Sequence, residues 1–173
     1  MNHEIHSDHE QHLESTQTKE YFKFILILLF ITVISVGHAN WFGFTLMQFL
    51  ESFMGVFFVV FSGFKLFQLK EFAFGFQSYD LIAKRSLAYS YVYPFVQLVL
   101  GVVYLSGLGN IYVDTFVVMI SLLSGAGVLN SLIKKQQVHC VCLGNVIKLP
   151  LSTISFVEDF GMALMAITMI FLR

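Results

Sequence analysis

Ser52-Phe-Met-Gly-Val-Phe-Phe-Val-Val-Phe-Ser-Gly-Phe-Lys65-Leu-Phe-Gln-Leu69 holds one charge in 18 residues. As a helix rising ~1.5 Å per residue it nearly crosses a hydrocarbon core of ~30 Å. That reading makes the chain an integral membrane protein, and the flanking sequence repeats it. Leu87 to Leu105 carries no charge, and a further apolar run extends from about Thr115 to Ile133. Phe22 to Ala39, interrupted only by Lys23, precedes them.

The last run, Phe160 to Leu172, offers only 13 uncharged residues, roughly 20 Å of helix, so it must borrow from the segment before it. Extended back to Leu151 it is long enough, but it then carries Glu158 and Asp159 into or near the hydrocarbon. An ionised carboxylate there costs ~2.5 to 3.5 kcal/mol on insertion scales, so it should face the bundle interior and find a partner. Lys65 is the natural partner by depth. The competing reading has the two acids reaching for the headgroups or favouring a helix N-terminus.

Composition agrees with a membrane class: 57% of residues are hydrophobic, 12% are charged and the mean hydropathy is +0.76. So few charges leave too little polar surface to cover a soluble globule. A net charge of −1 without a basic face excludes nucleic acid as a partner. The expected fold is all-α: a four-helix transmembrane bundle plus one additional N-terminal transmembrane helix, with membrane lipid as solvent. Residues 1–21 form a His-rich leader expected to be disordered, 22–39 the first span, and 40–173 the four-helix membrane domain.

Positive charge sets the orientation. In a five-span layout Lys19, Lys23, Lys65, Lys70, Lys84, Arg85, Lys134, Lys135 and Lys148 fall on one side, and only Arg173 falls elsewhere. Short loops rich in Lys and Arg stay in the cytoplasm. The N-terminus and the segment around residue 140 are therefore expected there. A cleaved signal peptide is the weaker reading of the first run, because its 21-residue leader holds five acids. Trp41 to Phe49 reads as an interfacial stretch at the far surface, and Phe72, Phe74 and Phe76 as a loop touching the near one.

Two cysteines lie on the basic side, in His139-Cys140-Val141-Cys142. One intervening residue makes a strained disulfide ring, easily reduced and better suited to exchange than to stapling. Lys134, Lys135 and Lys148 lower thiol pKa and expose more thiolate. Reduced, the same pair binds a soft ion such as copper(I), with His139 as a third ligand. His3, His6, His9 and His12 recur every third residue, so neighbours would share one face of a helical leader and offer imidazoles to a metal. A solvated tail that happens to carry histidines is the bland alternative. Ser121, Gly125, Gly127 and Ser131 fit close helix approach better than ligand binding. Pro94 after Tyr89, Tyr91 and Tyr93 fits a kink.

The run Phe53 to Lys65, then Tyr79-Asp80 with Ala83-Lys84, then Tyr93-Pro94-Phe95, then Cys140-Val141-Cys142-Leu143-Gly144 with Leu149 to Thr153 and Val157-Glu158-Asp159, resembles the MauE/DoxX-like redox-associated membrane proteins. The likeness covers about Glu51 to Leu172, in the same order. It implies a four-helix membrane core linked to thiol chemistry in the bacterial inner membrane. Related proteins carry a heavy-metal-associated domain before an extra first span, which implies traffic of copper or a similar metal. The His-rich leader occupies that place here. Gln97 departs from the pattern, where relatives often show Glu.

The family name suggests a periplasmic disulfide role, whereas the charge pattern puts the cysteines where thiols stay reduced. Three functions follow. One is thiol redox at Cys140 and Cys142, with a thiol-exchange partner or quinone. The second is soft-metal handling by the leader and the Cys pair, and the third a non-catalytic subunit of a larger membrane complex. Whether the chain is an enzyme stays open, and no cofactor fingerprint is present. Lys65, Gln97, Glu158 and Asp159 are the polar residues expected inside the membrane.

Overall fold

The structure, a computed structural model, describes the backbone of residues 2–80, 82–133 and 151–173, and the side chains of 22–77, 80, 82–130 and 158–173. The described residues form six helices and no strand: α1 (Asn2–Trp41), α2 (Leu46–Phe67), α3 (Leu69–Tyr79), α4 (Leu87–Leu105), α5 (Ile111–Ile133) and α6 (Leu151–Leu172). Among the described residues, four segments are long and apolar enough to cross a membrane, namely Phe22–Trp41, α2, α4 and Ile111–Asn130. This is a multi-pass membrane protein.

The helices α2, α4, α5 and α6 run alternately up and down as a bundle. α5 packs most extensively on α6, and α2 on α4. The core joins Met54, Phe57, Phe58 and Phe61 of α2 to Leu100 and Tyr104 of α4, Val117 of α5, and Met162, Ala166 and Met169 of α6. The apolar side chains facing outward, among them Val99, Phe116, Met119 and Leu164, are those that lipid would cover. α2 and α4 touch backbone to backbone at Gly55 and Gly101. A Cβ on Gly101 would lie 3.0 Å from both Gly55 O and Val59 N, so only glycine allows this approach.

Helix starts follow their caps. Thr45 Oγ1 accepts from Gln48 N at 3.1 Å, so α2 begins at Leu46, six residues before the start expected from the apolar run. Asn110 Oδ1 accepts from Tyr112 N and Val113 N, at 3.0 and 3.1 Å, and starts α5 at Ile111. Ser86 caps α4, whose bounds match the uncharged run. α1 runs from Asn2 to Trp41, and of residues 2–21 only the backbone is described. From Phe22 onward it packs on α2 through Phe24, buried Ile31 and the His38 Nδ1 to Ser52 Oγ hydrogen bond at 2.9 Å.

The phenylalanines after α2 are helical, not a loop. In α3 Phe72 and Phe76 stand one turn apart, buried and stacked at 5.1 Å, while Phe74 points outward. An apparent alternation was the inner and outer face of an 11-residue helix.

Asp80 closes α3 and shapes the turn that follows. Its Oδ1 accepts from Ile82 N at 2.9 Å and Ala83 N at 2.8 Å, at a buried position. Burial pushes its carboxyl above the usual range, opposed by those two N–H groups and by Lys84. A folded-state pKa raised this way contributes stability that is full below the unfolded value and is lost as pH rises through the folded one. Asp80→Asn keeps the acceptor and removes the charge, so it should match or exceed the parent at neutral pH and flatten the pH profile. Asp80→Ala should cost about 1 kcal/mol, as lost caps do. Thermal unfolding in detergent from about pH 4 to 8 reads both. Equal losses for Asn and Ala would refute the charge account.

Candidate functional site

Among the described residues, two polar clusters lie in the bundle, one at each end. The first centres on Lys65, near the C-terminal end of α2, only 3% exposed. Its Nζ donates to Gln97 Oε1 of α4 at 2.8 Å. Glu158 Oε1, two turns into α6, lies 3.7 Å away. The ring of Tyr93 on α4 has its centroid 5.3 Å from the ammonium, and that of Phe72 on α3 5.5 Å. One amide, one carboxylate and two aromatic faces thus surround the cation. α3 is positioned to do this because Phe72 stacks against Tyr93 and Phe76 packs against the same ring at a tilt.

At 3.7 Å and an effective dielectric of ~20, the Lys65–Glu158 attraction is about 4.5 kcal/mol. Removing either ion from water costs several kcal/mol, so the pair is close to balanced overall. Each ion nevertheless depends on the other to stay charged inside the bundle. Cation–π contact with the two rings adds a further ~0.5 to 2 kcal/mol.

Beside the pair is a cavity of about 20 Å³, lined by Gln97, Ser121, Glu158 and Asp159 together with Phe58, Tyr93 and other core side chains. One water needs ~10 to 15 Å³ by this measure, plus two or more polar partners. The space suits a single water.

The second cluster lies at the opposite end. Arg173 donates through Nε to Asp114 Oδ2 at 2.9 Å and through a terminal nitrogen to Glu51 Oε1 at 2.5 Å. Tyr104 O–H donates to Asp114 Oδ1 at 2.8 Å, and Gly109 is packed against the group. Burial works against the Arg173 charge, but the hydrogen bond and charge of Asp114, then of Glu51, outweigh it and raise its pKa above the ordinary value. This cluster ties the start of α2, the end of α4, the start of α5 and the end of α6.

Sequence reading missed the second cluster, since the expected spans began at Ser52 and Thr115, each one residue past a carboxylate. A signal was present: Glu51 and Asp114 directly precede apolar runs and Arg173 directly follows one. Of the residues expected inside the membrane, Lys65, Gln97 and Glu158 come together, and Asp159 lines the adjoining cavity. Ser121 lines that cavity too, while Gly125 passes Asp159 in ordinary contact. Pro94 lies within α4 and is buried.

His139, Cys140 and Cys142 lie outside the described residues, as do the side chains of His3, His6, His9 and His12. Among the described residues no three His, Cys, Asp or Glu side chains are grouped to hold a metal.

No curated protein matches the chain, and no solved structure does. A family model described as methylamine utilisation protein MauE matches residues 41–172, from the end of α1 to the last residue of α6. That span includes the four-helix bundle and both polar clusters apart from Arg173, and the chain belongs to the MauE family.

Proposed function

We propose that this chain is a five-span inner-membrane protein whose Cys140 and Cys142 exchange electrons with a thiol partner at the cytoplasmic surface. α1 and α6 supply the first and last spans, and the thiol pair lies in the connection between α5 and α6. In this reading a partner thiolate attacks the Cys140–Cys142 disulfide and forms a mixed disulfide. The partner's second thiolate then resolves it, leaving two thiols here and a disulfide on the partner.

One observation carries the reading. Glu158 lies seven residues past Leu151, about 10 Å along α6, so the Lys65 cluster lies toward the end of the bundle at which α6 begins. Lys134, Lys135 and Lys148 in the connection between α5 and α6 favour the thiolate.

Removing one cysteine tests it through the reverse step, in which the remaining thiolate attacks the partner's disulfide and no second thiol here releases the adduct. Either Cys140→Ser or Cys142→Ser should accumulate a reductant-sensitive adduct in membranes, and the double variant none. Absence of any adduct from both single variants, with growth and redox state unaltered, would refute thiol exchange. A second reading is favoured by the basic, reducing side on which the pair is expected: copper(I) held by Cys140, Cys142 and His139, with the His leader as collector. It predicts that copper(I) protects both thiols from alkylation. Dispensable cysteines in both assays would leave the role of a complex subunit.

A further inference from the structure

We infer that the lipid-facing side of α4 and the turn before it form a docking site for an anionic phospholipid, with Lys84 and Arg85 at its phosphate. The inference needs no thiol and stands apart from the role proposed for Cys140 and Cys142.

The positive charge at this turn is unspent. Lys84 and Arg85 are exposed, and among the described residues neither side chain makes a hydrogen bond or an ion pair. Asp80, whose charge reaches Lys84, is buried, and its Oδ1 accepts from the N–H groups of Ile82 and Ala83. In the chain between α2 and α4 the exposed charges are Lys70, Glu71, Lys84 and Arg85, three cations to one anion. Backbone bonds fix the pair in place: Lys84 N donates to Asp80 O at 3.2 Å, and Arg85 N to Ile82 O at 2.9 Å. Both directly precede Ser86, the cap of α4. By contrast Lys65 faces Gln97 and Glu158 inside the bundle, and Arg173 is held by Asp114 and Glu51.

An apolar stripe begins just past the pair. Ala88, Val92, Phe95, Val99 and Val102 recur every three or four residues, so they share one face of α4. All five are exposed, whereas Ser90, Pro94, Gln97 and Gly101 on the opposite face are buried in the bundle. From Ala88 to Val99 the helix rises about 16 Å, close to half of a ~30 Å hydrocarbon core. That is the depth of one leaflet, so an acyl chain laid on the stripe brings its phosphate level with Lys84 and Arg85. Charge selects the headgroup. A zwitterionic lipid carries its own cation beside the phosphate, while an anionic one leaves a net negative charge for the pair to complement.

Thermal unfolding of the full chain in neutral detergent, titrated with phosphatidylglycerol or phosphatidylcholine of the same acyl length, tests this, because a bound lipid stabilises the folded state. Each cation near an anionic headgroup favours binding roughly fivefold, so phosphatidylglycerol should bind on the order of 25-fold more tightly than phosphatidylcholine. Lys84→Gln/Arg85→Gln should bring the two lipids within about threefold of each other. Inorganic phosphate in place of lipid should give no stabilisation, since it makes no contact with the stripe. If the double variant does not fold, the salt dependence of the parent decides: its preference should fall by roughly fivefold or more between about 0.05 and 0.5 M NaCl, as screening of exposed cations requires. Equal binding of the two lipids would overturn the inference. So would a preference retained in the folded double variant or indifferent to salt, or stabilisation by phosphate alone.

Discussion

Replacing Lys65 with methionine should lower the stability of the bundle by about 3 to 5 kcal/mol, the cost of stripping a buried ion of its partner. Methionine keeps most of the volume, so little of the loss is cavity. What remains is Glu158, 8% exposed, without the cation it faces. Adding Glu158→Leu to Lys65→Met should recover most of the loss, because the second substitution removes the stranded charge. Thermal unfolding of the purified chain in detergent, for both single variants and the double, decides it. A double variant no more stable than the weaker single would mean that the two side chains act independently, contrary to the geometry.

The other large effect is expected at the far end. Arg173→Ala removes the cation shared by Asp114, fully buried, and Glu51, 7% exposed. The arginine side chain is itself 26% exposed, which lets water replace part of what is lost. The expected cost is about 2 to 3 kcal/mol, below the ~3 to 5 kcal/mol typical of a fully buried pair. Arg173→Lys should restore less than half. A single ammonium cannot reproduce a fork whose Nε reaches Asp114 while a terminal nitrogen reaches Glu51. Equal stability of the Lys variant and the parent would show that only net charge matters there.

These two clusters differ in how visible they were beforehand. A lysine and a carboxylate inside apolar runs draw notice because each is costly in lipid, and depth alone suggested Lys65 beside Glu158. The part played by Gln97 had no such signal, since an amide is cheap enough to pass as packing. Arg173 meets Asp114 and Glu51 across 59 and 122 residues, a distance that no local pattern encodes. Drawing spans by hydropathy also trims charged residues from helix ends. Glu51 and Asp114 were set outside α2 and α5 for that reason, although the caps at Thr45 and Asn110 place both well inside the helical turn.

The bounds of α4 were legible because Ser86 caps a run without a charge, whereas α3 was hidden by brevity. Eleven residues give only three turns, and Phe72, Phe74 and Phe76 imitate the two-residue period of a strand or an irregular loop. Tertiary contact with Tyr93 resolves the ambiguity, placing two rings inward and one outward.

Labelling Cys140 and Cys142 with a membrane-impermeant maleimide, in intact cells and in inverted membrane vesicles, bears most directly on the proposed arrangement. Five spans with a cytoplasmic N-terminus predict modification in inverted vesicles and none from outside intact cells. Modification of intact cells alone would place the thiols and the Lys65 end across the membrane, and would contradict the arrangement proposed.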